Sequence, residues 1–600
     1  MTISQGQARP PADGTTRPGS GSGMGGGLVP GQFSPPEAMR PTLVGERWGV
    51  VAGHPLVSQV AAEVLAAGGN AVDAGVAAGL ATNVVQVDMA NLGGIAPILI
   101  RSPDGAEATS PDGVFSLAGV GRWSSHADLA DIVSRHQGRL PLGGVPSIVP
   151  AAPAAWIAAL RQFGTWSFAD VAAPAIELAR HGFPLDERTA ASLAIAAAGF
   201  RRWPSSTRVY TRSGEPLKAG DRLVQAELGD LLTYLADAEQ GAARVDALDR
   251  VHTAFYRGEV AARICEFVQK HDGYLTSDDL AGFQADVAPA PFVGFGDWRV
   301  HATPSWSQGP VVLETLALLA GADLGSLAHN SLEHLHLLTE LFGLAFADRE
   351  TYLADPDVMV VSLDEMLAPG RVDALRALVG DRALPREAAR GVAVPRLPST
   401  TSVVVTDVDG TTFAASPSDT LDGAPIIPGL GILCSPRGVQ SRLVADHPNA
   451  LRPGRRPCVT PTATIAVRDA GDADGDSDVW ALACPGGDVI VQAIVQVMCN
   501  VETYGQSLQQ AVEAPRIAAF NEPSAFHPHP RADNVVYAEG RIGREVRDGL
   551  DARGHDVITW PDFEFDAGSV QTTSVSTAPD GGRIVQAGAD PRRSAYGIVR

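Results

Sequence analysis

Apolar residues first recur with helical spacing after Pro55. Val57, Val60, Ala61, Val64 and Leu65 fall at i, i+3, i+4, i+7 and i+8, the stripe of a helix entered through proline. Gly68-Gly69 ends it, and Asn70 caps a second helix with Asp73 three residues on, in a capping-box-like arrangement. That run, AVDAGVAAGLA, is small and apolar on every side, which predicts a helix held between layers. Helices and loops continue to about residue 390, including an amphipathic stretch from Leu332 to Tyr352. The pattern changes after residue 397. Thr401 to Asp407 is β-branched, Asp409-Gly410 reads as a two-residue hairpin turn, and Thr411 to Ser416 runs back. Further strands are expected at Thr464–Val467 and Val479–Ala483, with a long helix after Gly487. Helix-rich first and strand-led second, the chain reads as an α+β fold of packed sheet and helix layers, without internal repeats.

Composition narrows this picture. At 600 residues and 62.4 kDa the chain exceeds what one simple core usually holds, and 45% hydrophobic residues let most of it pack. Residues 1–40 are the exception: rich in Gly, Pro and Ser, they are expected to be disordered. A GxGxxG match at Gly21, Gly23 and Gly26 follows no strand and reads as low-complexity sequence, not a dinucleotide loop. The net charge of −22 argues against nucleic acid or an anionic membrane as partner. Five unclustered cysteines, no secretory signal and no long apolar span place the protein in the cytoplasm. Asp472 to Asp476 resembles part of a calcium loop, but its glycine is misplaced, so it reads as a solvated turn. His527-Pro528-His529-Pro530 offers no third ligand and reads as a surface loop. No metal or cofactor is implied.

Two features carry chemistry. A two-residue turn at 409 and 410 sets Thr401 opposite Ser418 and Thr400 opposite Asp419, so the Ser418 hydroxyl lies beside Thr400. A strand opening with a hydroxyl residue, with a second hydroxyl alongside, suits an N-terminal nucleophile whose free α-amine is its base. The second feature is Ala483-Cys484-Pro485-Gly486-Gly487-Asp488 at the start of a helix, where backbone N–H groups of Gly486 and Gly487 can form an oxyanion hole. Each feature alone also fits an ordinary strand start or an ordinary strand-to-helix turn.

Taken in order, several segments resemble the γ-glutamyltranspeptidase family over about residues 45 to 600. HPLVSQVAAEVLAAGGNAVDAGVAAGLATNVVQVDMANLGG (from His54) is similar to its opening signature. FGTWSFADVAAPAIELARHGFP (from Phe163), FYRGEVA (from Phe255), GYLTSDDLAGF (from Gly273) and AFADRETYLADP (from Ala345) resemble its α-chain pattern. TTSVVVTDVDG (from Thr400), CPGGDVI (from Cys484), AVEAPRI (from Ala511) and ADPRRSAYG (from Ala589) follow in family order. The resemblance implies a four-layer αββα N-terminal-nucleophile (Ntn) hydrolase sandwich, made as one chain and cut autocatalytically between Ser399 and Thr400. The α subunit would be 41–399 and the β subunit 400–600, held together as a heterodimer and possibly a dimer of these. Thr400 would be nucleophile and base, Ser418 would stand where the family has a second threonine, and Gly486 and Gly487 would supply the oxyanion hole.

The substrate pocket departs from the family. The family grips the glutamyl α-carboxylate with an arginine in an R-E-x-A-P segment, whereas this chain has no arginine from Ser102 to Gly121. The acid that holds the α-amine follows a G-I-L strand in the family. Here the strand from Gly431 leads into CSPRGVQ, with Gln440 near that place. The family's Ser-Ser pair reads Val459-Thr460, and a pocket asparagine reads Thr420. Thr401 and Asp419 flank the nucleophile pair and complete the expected substrate-binding set. Losing both charge partners of a zwitterionic head group removes several kcal/mol of recognition, so a non-glutamyl acyl substrate is expected. If its carbonyl is activated, as in an oxalyl compound, carbon can leave instead of nitrogen. The altered pocket resembles the family's divergent branch in bacterial antibiotic (alkylproline) biosynthesis, which implies hydrolysis of an oxalyl-type C–C bond. An amidase or acylase, and a true γ-glutamyl transferase or glutathione hydrolase, are the alternatives. An unprocessed binding protein, suggested by Ser402 and Asp419 beside Thr400, is the non-enzymatic rival.

Overall fold

The computed structural model describes residues 38–103, 110, 112–385, 399–469, 477–578 and 580–600, and the glycine run at 21–26 and the acidic run at 472–476 lie outside them. The expected first helix forms over Pro55–Ala66 and buries its stripe of Val57, Val60, Ala61, Val64 and Leu65. Asn70 and Asp73 make a full capping box on the helix Ala71–Val85, every residue of which is buried. Leu332–Tyr352 is also a helix, but it is not amphipathic. His334, His336, Thr339, Glu340, Asp348 and Arg349 are buried along with its leucines, because its polar positions meet partners from the second half of the chain instead of water. His336 Nδ1 lies 2.8 Å from His555 Nε2, and Arg349 Nη1 lies 2.7 Å from Asp488 Oδ1.

Two seven-stranded antiparallel sheets dominate the architecture. One runs, in spatial order, Leu43–Gly45, Arg583–Ala589, Gln571–Thr577, Ser477–Ala483, Ala463–Asp469, Trp298–Ala302, Phe292–Phe295. The other runs Tyr596–Val599, Trp48–Ala52, Val403–Asp407, Thr412–Ala415, Ile98–Arg101, Val114–Leu117, Val287–Pro289. Strand alternation divides the core. Val404, Ala414 and Leu99 of the second sheet pack with Ile465, Val479, Ala481 and Val575 of the first. Val403, Val405 and Phe413, pointing the other way, join the helical residues Val57, Val76 and Leu80. On the far face of the first sheet, Val300, Trp480 and Leu482 join Leu313, Leu316 and Ile494.

Strands from before and after residue 400 are interleaved in both sheets, and Arg40–Arg600 form one unit. The C-terminal strand lies against Trp48–Ala52, and the Arg600 carbonyl accepts the backbone N–H groups of Glu46 (3.0 Å), Arg47 (2.7 Å) and Trp48 (3.3 Å).

The hairpin after Thr400 differs from expectation by one residue. Val403 pairs with Ala415 and Thr406 with Thr412. Asp407 N–H donates to the Thr411 carbonyl at 3.1 Å, so the loop is the three residues 408–410. Gly410, at φ +81°, donates to the Asp407 carbonyl at 3.1 Å, the three-residue hairpin with a left-handed last position. The Asp407 carboxylate also accepts Thr411 N–H at 2.9 Å, which favours this longer loop over a tight two-residue turn. The shift brings Ser418, not Asp419, opposite Thr400.

Candidate active site

Extending that register places Thr401 N–H 3.1 Å from the Pro417 carbonyl, and Thr400 Oγ1 lies 2.8 Å from Ser418 Oγ. Both hydroxyl residues are buried. Ser418 is fixed from its other side by reciprocal backbone bonds with Ile95, at 2.9 and 3.2 Å. Its hydroxyl also donates to the carbonyl of Ser399. The first hydroxyl of the strand, a second hydroxyl and the preceding carbonyl therefore share one buried site.

A residue without an assigned role in the sequence reading completes it. Arg437 opens a short 3-10 turn, Arg437–Gln440, that Gly438 N–H pins to the Pro146 carbonyl at 3.0 Å. Its Nη2 donates to the Ser399 carbonyl and to Ser418 Oγ, each at 2.5 Å, and its guanidinium carbon stands 5.5 Å from the centre of the Phe526 ring. Asp419 Oδ1 is 3.8 Å from Arg437 Nε. Burial pushes the Asp419 carboxyl up to about 6 against the pull of Arg437, and burial lowers the Arg437 guanidinium against the pull of Asp419.

The remaining expected substrate contacts divide. Gln440 Nε2 donates to Thr460 Oγ1 at 3.3 Å, so these two meet beside the Arg437 turn. Thr401 turns away from Ser418 and donates to Gln86 Oε1 at 2.7 Å. Thr420 donates to Asp422 at 2.5 Å. Val459 packs in an apolar cluster with Ile95, Trp123 and Trp306.

Gly486 and Gly487 adopt φ of +144° and +62°, conformations that disfavour any side chain. The turn is anchored by Asp488, which accepts from Arg349 (2.7 Å), Gln308 (2.9 Å) and Ala525 N–H (3.0 Å). A Cβ on Gly487 would stand 3.4 Å from the Phe526 ring, the ring that also faces Arg437. Pro485 and Thr400 line a common cavity of about 20 Å³, room for one water. Gln86, Asp88, Arg188 and Arg593 are among its polar lining. Burial raises Asp88 to about 6 and lowers Arg593 to about 10.

Arg593 belongs to the ADPRRSAYG segment and Gln86 to the opening signature, so their motifs were visible although their roles were not. The signal for Arg437 was a cation within the CSPRGVQ segment that follows Gly-Ile-Leu, three residues before Gln440.

Among the described residues, His336, Glu340 and His555 bring their ligand atoms within 4.8 Å of one another, the spacing of a metal cluster. Two nitrogens on one tetrahedral zinc stand roughly 3.3 Å apart. The 2.8 Å between His336 and His555 is a hydrogen bond, and His336 Nε2 meets the Gly380 carbonyl at 2.9 Å. The His527–His529 segment is not the surface loop expected. His527 N–H donates to the Val439 carbonyl at 2.8 Å and His529 Nε2 approaches the Ser441 carbonyl at 3.3 Å, so it braces the Arg437 turn from behind.

Two facing sheets with polar groups converging at one strand start frame a buried site. The chain belongs to the gamma-glutamyltranspeptidase family, whose model matches residues 57–599. It is 28% identical over 524 residues to the acylase ACY 1 proenzyme of Pseudomonas sp. (strain SE83), covering 86% of this chain and 88% of that one. It is 29% identical over 554 residues to the glutathione hydrolase proenzyme of Escherichia coli (strain K12), covering 89% and 88%. Among solved structures, LmbA2991HD matches at a TM-score of 0.84 with 29% identity, covering 94% of this chain and all of that one. The cephalosporin acylase of Bacillus halodurans matches at 0.80 with 25% identity, covering 96% and 99%. No helix among the described residues is long and apolar enough to cross a membrane.

Proposed function

We propose that this chain is a self-processing Ntn-hydrolase with the four-layer αββα sandwich. It breaks the Ser399–Thr400 bond and uses the freed Thr400 to attack the carbonyl of a non-glutamyl small molecule. The observation that carries this reading is the convergence of Thr400 Oγ1, Ser418 Oγ and the Ser399 carbonyl. It joins a nucleophile, the hydroxyl that orients it and the bond to be cut. After cleavage, residues 41–399 and 400–600 remain together as a heterodimer. The Thr400 α-amine takes the proton from its own hydroxyl, and the N–H groups of Gly486 and Gly487 hold the oxyanion. Water then releases the acyl group. The missing arginine between 102 and 121, with the altered pocket's resemblance to the family's divergent branch, favours an activated, oxalyl-type C–C bond in secondary-metabolite formation. Amide hydrolysis is the second reading, favoured by the acylase relatives. Five free, buried cysteines fit a reducing, cytoplasmic setting.

The test is intact-mass analysis of fresh protein with N-terminal sequencing of its fragments, alongside Thr400→Ala. A fragment beginning Thr-Thr-Ser-Val, absent from Thr400→Ala, is expected. Oxalyl compounds, simple amides and glutathione then separate the substrate readings. A wild-type chain that stays whole would put the unprocessed binding protein in front.

A further inference from the structure

Burying a guanidinium is costly unless an anion meets it. Arg437 is 2% exposed. Among the described residues its Nε has no hydrogen-bond partner, and its one carboxylate partner, Asp419, stands 3.8 Å off, beyond hydrogen-bond reach. What Arg437 does touch is the carbonyl oxygen of Ser399, at 2.5 Å, and the Ser418 hydroxyl. That oxygen gains negative charge when Thr400 attacks. Its Nη2 thus faces an oxygen that becomes an anion only during reaction, while Asp419 is its standing counter-ion through Nε.

We propose that Arg437 is the anion-binding residue of this site and is used twice. In the uncut chain it stabilises the oxyanion formed at Ser399. In the mature enzyme it receives a carboxylate attached directly to the substrate's reacting carbonyl, which makes the substrates 2-oxo acids of the oxalyl type. This rests on Thr400 being the nucleophile. In self-cleavage, Thr400 Oγ bonds to the Ser399 carbonyl carbon, and the Thr400 hydroxyl proton passes by way of Ser418 to the departing amide nitrogen. The C–N bond breaks, leaving an ester and a free α-amine. Water adds to the ester, frees the Thr400 hydroxyl and leaves Ser399 as a carboxylate facing Arg437. When that end withdraws, a buried cation is left beside the nucleophile. A substrate whose reacting carbonyl carbon meets the freed Thr400 hydroxyl can send its oxyanion to Gly486 and Gly487, while a carboxylate on the same carbon takes the position left by the Ser399 carbonyl oxygen and reaches Arg437. A glutamyl group, with its carboxylate several bonds from the reacting carbonyl, does not offer that pairing.

Two measurements test this. First, cleavage of purified Arg437→Met and Arg437→Lys chains is followed by intact mass. Methionine is expected to slow it by roughly 100-fold, as loss of an oxyanion donor does, and lysine by less. Second, oxamate is titrated against mature wild-type protein and against uncut Thr400→Ala, reading the melting temperature. Oxamate should stabilise the mature protein and leave the uncut chain unmoved, because Ser399 still occupies Arg437 there. Wild-type cleavage rates in Arg437→Met overturn the first role. Oxamate binding to both forms, or to neither, overturns the second. A Thr400→Ala chain that is still cut sinks the underlying reading instead.

Discussion

At the scale of single residues, Ser418 is held by Ile95 through its backbone, so its side chain is free to act on Thr400 and Ser399. Ser418→Ala should leave the fold intact and slow cleavage at 399–400 by roughly 100-fold, within the range lost with a positioned proton-transfer group. Ser418→Thr should stay within about tenfold of wild type; both rates are read by densitometry of the two chains. Asp88 makes a prediction about pH. Its folded-state carboxyl titrates near 6, chiefly through burial and with Asp186 adding to the rise, while Arg593 and a bond from Ser192 oppose it. The folded protein therefore holds a proton that the unfolded chain has released, and stability falls as pH rises from about 4 to 6. Asp88→Asn should flatten that slope, by up to ~3 kcal/mol for a shift of this size, in denaturant unfolding at pH 4.5 and 7. A slope unchanged in the variant would remove Asp88 as its source.

At the scale of elements, the hairpin after Thr400 sets the site. Gly410 sits at φ +81°, and a Cβ there would meet Arg101 Nη1 at 2.5 Å while the Gly410 carbonyl accepts from the same atom at 2.9 Å. Gly410→Ala should destabilise by about 1–3 kcal/mol and slow processing, because a strained loop invites a register slip that moves Ser418 away from Thr400. Urea melts and the cleavage rate check this together; a destabilised chain that still matures at the normal rate would separate loop strain from register. The same hairpin shows the reach of sequence reading. Its strands and glycine were legible from β-branched residues and Asp-Gly, but loop length was not, because the bond from the Asp407 side chain to Thr411 N–H tipped a two-residue turn to three. The Leu332–Tyr352 helix was legible in extent and misjudged in character. Its polar residues read as a wet face, whereas their partners, His555 and Asp488, lie far along the chain. Arg437 was hidden for the same reason: nothing local tells that residue 437 reaches the carbonyl of residue 399.

At the scale of the whole molecule, the proposed cut at 399–400 would yield two chains that share both sheets. Val403–Asp407 is hydrogen-bonded to Trp48–Ala52, and Ala463–Asp469 to Trp298–Ala302, over cores continuous across the cut. Mature protein should therefore run as two bands on a denaturing gel and as one species by native size measurement. The chains should part only in the denaturant range that unfolds both. Dissociation without loss of secondary structure, read by circular dichroism, would contradict the shared sheets.

The seating of Arg600 against Glu46 to Trp48 has an engineering consequence. The two ends of the described unit are already neighbours, so a short bridge can join residue 600 to the residue-40 region and the chain can be reopened at Thr400. Such a circular permutant would be born with threonine at its front once the initiator methionine is trimmed. It would let turnover be studied in a molecule that never had to cut itself.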